Sequence, residues 1–554
     1  MKVNKIQLHA TLAQLAFLSK VDKVFGSNIH APTNNVGTWE KGSSSYFLMM
    51  HPTNKLSEEE ERDFIRELTT KMWPYLLPPK SQALYRIKSE RLGLLGIVLD
   101  IVNNVNSFGE MNAVCNGPLR KKFTALLRSQ DFPSGGKKPP QSFMTSEANY
   151  EEDPPSPPTL KSNRKLKRSM WKRVDEGQDP NIEKQSGLTE DLLRLSWPPG
   201  VAWDYIERHK VFWNWKGAGQ GTVIFVVDSG CDSRNPEFRS TKFRDWIFAG
   251  PSPLEEPRDD YYGPHDPDKA ASRKFHGTGV TSKAVGLSTG VAQNAEVVIV
   301  NVLTGGTRGS QPGAGVWYMN LDALVKMHEY IEKHKLSGRC VINISTAHAD
   351  LRNHRATTNL LWYAALTKQV LDSIVDRLDC YLIVAAGNER PKTPITSYPQ
   401  KLIPRMNQDR VALVGAHDAS LRNLFQIHSD VQLSALGDRI PLAKGYSMAD
   451  EPKFEQQNSI PILHLDSPAG IASAEPSRSV REAAPIVAGL VANLISIGKE
   501  NPLRYLKAVS KTPPDADSPR IVWNGIYPDQ WPITLRPPQP APPKEERKNE
   551  KKDN

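Results

Sequence analysis

From about residue 196 to residue 511 the chain alternates two hydrophobic patterns. Short β-branched runs, "GTVIFVVDSG", "AEVVIVNVL", "GRCVINIS", "CYLIVAAGN" and "RVALVGAHD", each end at polar or glycine residues and predict strands. Between them lie longer segments such as "LDALVKMHEYIEKHK" and "NLLWYAALTKQVLDSIVDRL", whose apolar residues keep helical spacing. Alternation of this kind predicts an α/β fold, a parallel sheet flanked by helices on both faces. Functional groups in such sheets collect at the carboxyl ends of the strands.

Other parts of the chain carry different patterns. Residues 46–125 read as a small α+β unit: "SYFLMM" is strand-like, and Ser57 followed by four glutamates starts a helix that "DFIRELTTKMW" continues. The apolar run "LGLLGIVLDIVNNV" fits strand and helix alike. Residues 126–195 contain "PSGGKKPPQS", "EEDPPSPPTL" and "KSNRKLKRSMWKR", too polar and proline-rich to offset the entropy of ordering, and predict a disordered linker. The domain with strand–helix alternation then occupies 196–515, and 516–554 is a Pro-rich charged tail. Residues 1–45 begin with a basic start and an apolar middle interrupted by Gln7, His9 and Gln14, which fits a degenerate signal peptide and an amphipathic helix equally.

Composition narrows the picture little. The net charge of +10 is concentrated in the linker and tail runs, where solvated charge is the ordinary explanation, so a nucleic-acid partner is not expected. No run of about 18 apolar residues predicts a membrane-spanning helix. Four cysteines without a CxxC pair argue against a zinc site and leave a disulfide framework unsupported. No dense run of oxygen ligands predicts calcium, and no cofactor or metal is expected. The Asn343-Ile344-Ser345 sequon falls on a predicted buried strand, so it says nothing of secretion.

Three polar residues sit where chemistry is expected. Asp228 directly follows "VIFVV", and a carboxylate at a central strand end needs hydrogen bonds, which an imidazole supplies. His276 opens "HGTGVTSKAVG", a turn into a helix. Asn388 ends "LIVAAGN", placed to donate an amide hydrogen to a developing oxyanion. Individually, each also fits a turn or cap residue.

In this order the motifs resemble those of the subtilases, the subtilisin-like serine peptidases, over about residues Trp203 to Leu506. "VVDSGCD", "HGTG", "GVAQNAEVVIVNVL", "VINIS", "AAGNE" and "AAPIVAGL" stand in the family's order. The resemblance implies that Asp228 orients the general base His276 and that Asn388 stabilises the oxyanion. It also implies that Ser345, Thr346 and Ala347, with Ala385, Ala386 and Gly387, line a groove where a peptide or protein substrate adds as a strand. The family writes Gly-Thr-Ser, one further residue, then Ala-Ala-Pro, whereas this chain writes Val480-Arg481-Glu482-Ala483-Ala484-Pro485. Arg481 therefore stands at the nucleophile position. A guanidinium has no nucleophilic lone pair and is disfavoured at a helix N-terminus, so acyl-enzyme chemistry is expected to be absent.

Gly279, Thr281-Ser282 and Ser345-Thr346-Ala347 also depart from the family pattern, which reads as relaxed constraint on a lost activity. Three functions are compatible with these residues. The first is a catalytically impaired subtilase, a pseudoenzyme that still binds peptides. The second is an active serine endopeptidase using Ser477 or Ser479, or one whose sequence is misread at 472–482; a serine displaced by two or four positions meets a near-attack geometry that tolerates roughly 1 Å. The third is a non-catalytic interaction scaffold. The N-terminal unit is similar to a subtilase prodomain, a partner for the groove within the same chain, and Lys167-Arg168 and Lys172-Arg173 offer dibasic cleavage sites in the linker.

Overall fold

The computed structural model describes residues 43–52, 55–77, 83–102, 104–128, 181–185, 189–210, 212–250, 276–302, 316–346, 349–350, 357–388, 394–425, 428–438, 440–443, 462–463, 483–515 and 517–532. The N-terminal segment, most of the expected linker and most of the tail, with Ala347, Ser477, Ser479 and Arg481, lie outside the described residues.

The first body is a four-stranded antiparallel sheet with two helices. Strands β1 (Ser43–Met49), β2 (Leu84–Ser89), β3 (Gly93–Val102) and β4 (Ala125–Arg128) lie in the order β2-β3-β1-β4. Helix α1 (Glu58–Met72) starts at a capping box: the Ser57 hydroxyl accepts from the Glu60 amide, and the Glu60 carboxylate accepts from the Ser57 amide. Phe64, Leu68 and Met72, one helical turn apart, bury its inner face against Tyr46, Leu48 and Met50. Helix α2 (Val105–Asn116) packs beside α1. The ambiguous run at 92–105 is mostly strand because β3 pairs on both sides, with β1 and β2.

The second body is an eight-stranded sheet in which neighbouring strands all pair in parallel. Its strands are β5 (Val223–Asp228), β6 (Lys242–Phe248), β7 (Glu296–Asn301), β8 (Cys340–Ile344), β9 (Tyr381–Ala385), β10 (Val411–His417), β11 (Leu433–Leu436) and β12 (Arg520–Ile521), in the spatial order β12-β11-β10-β9-β8-β5-β7-β6. This is the α/β architecture expected from the alternation. Strand residues alternate between two cores: Val223, Phe225 and Val227 face one side, Ile224 and Val226 the other. Helices α3 (His276–Val285), α6 (Ala483–Ser496) and α7 (Pro502–Val509) cover the second side, while α4 (Val316–Lys333) and α5 (Thr357–Asp372) cover the first. None of the described helices is long and apolar enough to cross a membrane.

The four-stranded sheet turns its other face onto α4 and α5. Phe47, Met49, Ile87 and Val98 belong to the same apolar core as Tyr318, Met319 and Trp362, so the two bodies share a hydrophobic interior. Polar contacts ring it: the Tyr85 hydroxyl donates to Asp322 at 2.8 Å, the Glu90 amide donates to Glu329 at 3.0 Å, and Arg91 pairs with Glu332 at 2.9 Å.

One expectation changes. Cys340 and Cys380 form a disulfide with their Cα atoms 5.0 Å apart. The register pairs Val341 with Tyr381, which brings the preceding residues of two neighbouring strands side by side. Spacing along the chain carries no sign of this, because α5 separates the two strands.

Candidate functional site

Three neighbouring strands, β5, β8 and β9, run parallel, so their carboxyl ends open on one edge of the sheet. Asp228 ends β5, Ser345 and Thr346 follow β8, and Ala385 ends β9 with Ala386, Gly387 and Asn388 behind it. With strands about 4.8 Å apart, the Asp228 and Ala385 backbones lie roughly 10 Å from each other.

Asp228 is 1% exposed and His276 one-fifth exposed, with His276 Nδ1 2.8 Å from Asp228 Oδ1. The Ser229 amide also donates to that oxygen at 2.7 Å. A carboxylate held this way fixes the imidazole ring and its tautomer, with the hydrogen on Nδ1. Two further hydrogen bonds tie the loop after β5 to the start of α3. The Gly277 amide donates to the Ser229 hydroxyl at 3.0 Å, and the Asp232 amide donates to the Thr278 hydroxyl at 2.9 Å. Ser229 and Thr278 were not singled out from sequence, since small hydroxyl residues in turns carry no distinguishing pattern.

The departures on α3 have specific partners. A side chain on Gly279 would meet Leu442, its Cβ falling 3.2 Å from Leu442 Cδ1. The Thr281 hydroxyl donates to the Gly277 carbonyl, and the Ser282 hydroxyl donates to the Gly279 carbonyl while accepting from the Ala443 amide. Instead of loosening, this stretch of α3 is packed under the 440–443 segment, and both hydroxyl residues are fully buried.

Helix α6 crosses beneath β5, β8 and β9 and lies along α3. Its first described residue is Ala483, two positions after Arg481. Gly489 permits the close approach, since a Cβ there would stand 2.7 Å from Val291 Cβ.

On the other side of the edge, Ser345, Ala385 and Ala386 are buried, Thr346 and Gly387 partly exposed, and Asn388 exposed. Gly387 takes φ +119°, a conformation that glycine adopts without strain. The Asn343 amide donates to the Ser345 hydroxyl at 2.9 Å. Gln400, also passed over in the sequence, donates from Nε2 to the carbonyls of both Thr346 (3.1 Å) and Ala385 (3.0 Å). Among the described residues no group of three or more His, Cys, Asp and Glu side chains is arranged to hold a metal ion.

Comparison with known proteins adds a family. The Subtilase family profile, Peptidase S8, matches residues 219–508. Subtilisin-like protease 3 of Arthroderma otae is 30% identical over 156 residues, covering 28% of this chain and 35% of that protein. Subtilisin-like protease 4 of Trichophyton equinum is 26% identical over 176 residues, covering 31% and 38%. The chain thus spans little more than a third of the length of the curated relatives it matches. Among solved structures, a cold-adapted subtilisin-like serine proteinase is 18% identical with a TM-score of 0.39, covering 62% of this chain and all of that one. The protease domain of PatA is 17% identical with a TM-score of 0.37, covering 56% and 94%.

Proposed function

The chain belongs to the subtilase family, and we propose that it is a catalytically impaired member that binds peptides in the groove between Ser345–Thr346–Ala347 and Ala385–Ala386–Gly387. In this reading Asp228 orients His276, Asn388 faces the oxyanion position, and Arg481 occupies the place of the nucleophile. The reading is supported by the Asp228–His276 pair at 2.8 Å together with the sequence Arg481-Glu482-Ala483-Ala484-Pro485, in which the resemblance expects a serine where Arg481 stands. A base without its nucleophile cannot form an acyl-enzyme, and losing the serine of such a triad costs about 10⁶-fold in turnover. The N-terminal body, resting on α4 and α5 with a shared apolar core, supports a prodomain-like role for residues 43–128.

The test uses the full chain and its Arg481→Ser variant with a fluorophosphonate probe, the site of any adduct being mapped by mass spectrometry. The wild-type chain is expected to stay unlabelled and the variant to label at position 481, with loss of labelling on adding His276→Ala. Labelling of the wild-type chain on Ser477 or Ser479, abolished by His276→Ala, would make the protein an active hydrolase and end the proposal. A folded but unreactive Arg481→Ser variant would mean that the Asp228–His276 pair is no longer placed for catalysis.

A further inference from the structure

The contact between the N-terminal body and α4 buries a carboxylate with no cation bonded to it. Along β3, Ile97, Leu99 and Ile101 face the body's own helices, while Val98 faces the core shared with α4. Asp100, two residues beyond Val98, falls on that second face and is 6% exposed. Ser45 stands opposite it on β1 and donates to its Oδ1 at 2.5 Å. Phe47, next on the same face of β1, lies 6.3 Å ring to ring from Tyr318 of α4. The Tyr318 hydroxyl is buried and has no hydrogen-bond partner among the described residues. Asp100 and, on α4, Asp322 both act on that hydroxyl electrostatically. The cations of the contact are engaged elsewhere: Lys326 with Asp322 at 2.9 Å and Arg91 with Glu332 at 2.9 Å.

A carboxylate in such a place is unfavourable when charged and tolerated when protonated. Separating the two bodies returns it to water, because α4 covers the face that carries it. From this geometry we infer that the contact between the two bodies is a pH-sensitive clasp, which closes with a proton on Asp100 and loosens when that proton leaves. Burial raises the Asp100 pKa to about 6, with the Ser45 hydrogen bond opposing, against about 3.9 for a carboxylate in water. The docked state has the raised value, so the clasp is strongest below about pH 4 and weakens as pH rises through 6. Between pH 5 and pH 7 this linkage makes the dissociation constant about tenfold larger. His51, its ring 5.2 Å from that of Trp362 on α5, is a second titratable group of the contact, so the comparison that isolates the carboxylate is with Asp100→Asn.

The inference stands on the contact between the bodies and is independent of the groove and of Arg481. Its test uses the full chain with a protease site inserted between Gly136 and Lys137, cut while the two bodies are docked. Separation of the two pieces by size in steps of urea, at pH 5 and pH 7, gives dissociation constants extrapolated to water. The wild-type chain is expected to hold its pieces about tenfold more weakly at pH 7 than at pH 5. In Asp100→Asn, or in Asp100→Ser should the asparagine variant not fold, most of that difference is expected to vanish. Wild-type constants within about twofold of each other at the two pH values overturn the inference whether or not the variants fold. So do pieces that part at pH 5 without urea, and so does a tenfold change that persists once Asp100 is replaced.

Discussion

Lys283 and Asp191 form an ion pair at 2.6 Å in which both side chains are completely buried. Lys283 lies about two turns beyond His276 on α3, and Asp191 belongs to the short helix Glu190–Leu195, so the pair fastens that helix to the element that carries the base. Removing the lysine leaves a carboxylate in an interior where an uncompensated charge is strongly unfavourable. Lys283→Met is therefore expected to lower unfolding free energy by about 3–5 kcal/mol. Asp191→Leu, which strands the ammonium, should cost a similar amount.

Asp191 Oδ1 lacks a hydrogen-bond partner among the described residues, so the pair is itself under-satisfied. Replacing both partners by apolar side chains of similar volume should then be far less harmful than either single change, and neutral or stabilising by about 1–4 kcal/mol against wild type. Urea unfolding of the four proteins, followed by tryptophan fluorescence, closes the cycle and isolates the coupling. Single variants that each lose under about 1 kcal/mol, or a double variant as unstable as the sum of both, would refute the reasoning.

Two other predictions concern the N-terminal body and the sheet. Asp100, paired with the Ser45 hydroxyl on the face of β3 turned toward α4, has its pKa raised to about 6, mainly by burial, with the Ser45 hydrogen bond opposing. A folded-state value above the ordinary carboxylate value means its contribution is fully present below about pH 4 and lost as pH rises through 6. The stability of the wild-type chain should fall over that window relative to Asp100→Asn, and a difference in unfolding free energy between the two proteins that stays constant across urea titrations at pH 4, 5.5 and 7 would refute this. Cys380→Ser opens a loop of 40 residues between neighbouring strands, for an expected loss of about 4 kcal/mol. Thiol titration of the unfolded, unreduced chain should find two thiols, those of Cys115 and Cys231 outside the disulfide, and a count of four would remove the disulfide.

Much of this protein could be read before any contact was known. Runs such as "VIFVV" and "YLIVA" are strands because β-branched residues in short blocks bounded by glycine and polar residues have few other options, and the Asp228 and His276 positions followed from their places at element ends. The ambiguous 92–105 run shows the limit of such reading: a mostly apolar stretch of this length suits a helix or a strand, and β1 and β2 on either flank decided for the strand.

Local pattern reports what a segment prefers, and that was enough for the parallel sheet, its helices and the edge on which polar residues gather. Proximity between distant segments is another quantity, set by strand order and by which face of each element is buried. Cys340 meets Cys380 because β8 and β9 are neighbours in register. Lys283 meets Asp191 across 92 residues because α3 buries that face. Gln400 reaches Thr346 and Ala385 because the chain returns beneath the edge after residue 394. The ion pair and the Gln400 hydrogen bond to Ala385 are buried, where a missing partner is costly and a present one counts most, and neither they nor the disulfide leave a periodic trace in the chain. The sheet was legible because hydrophobic burial acts through composition and period, whereas pairing depends on geometry that exists only after the elements have packed.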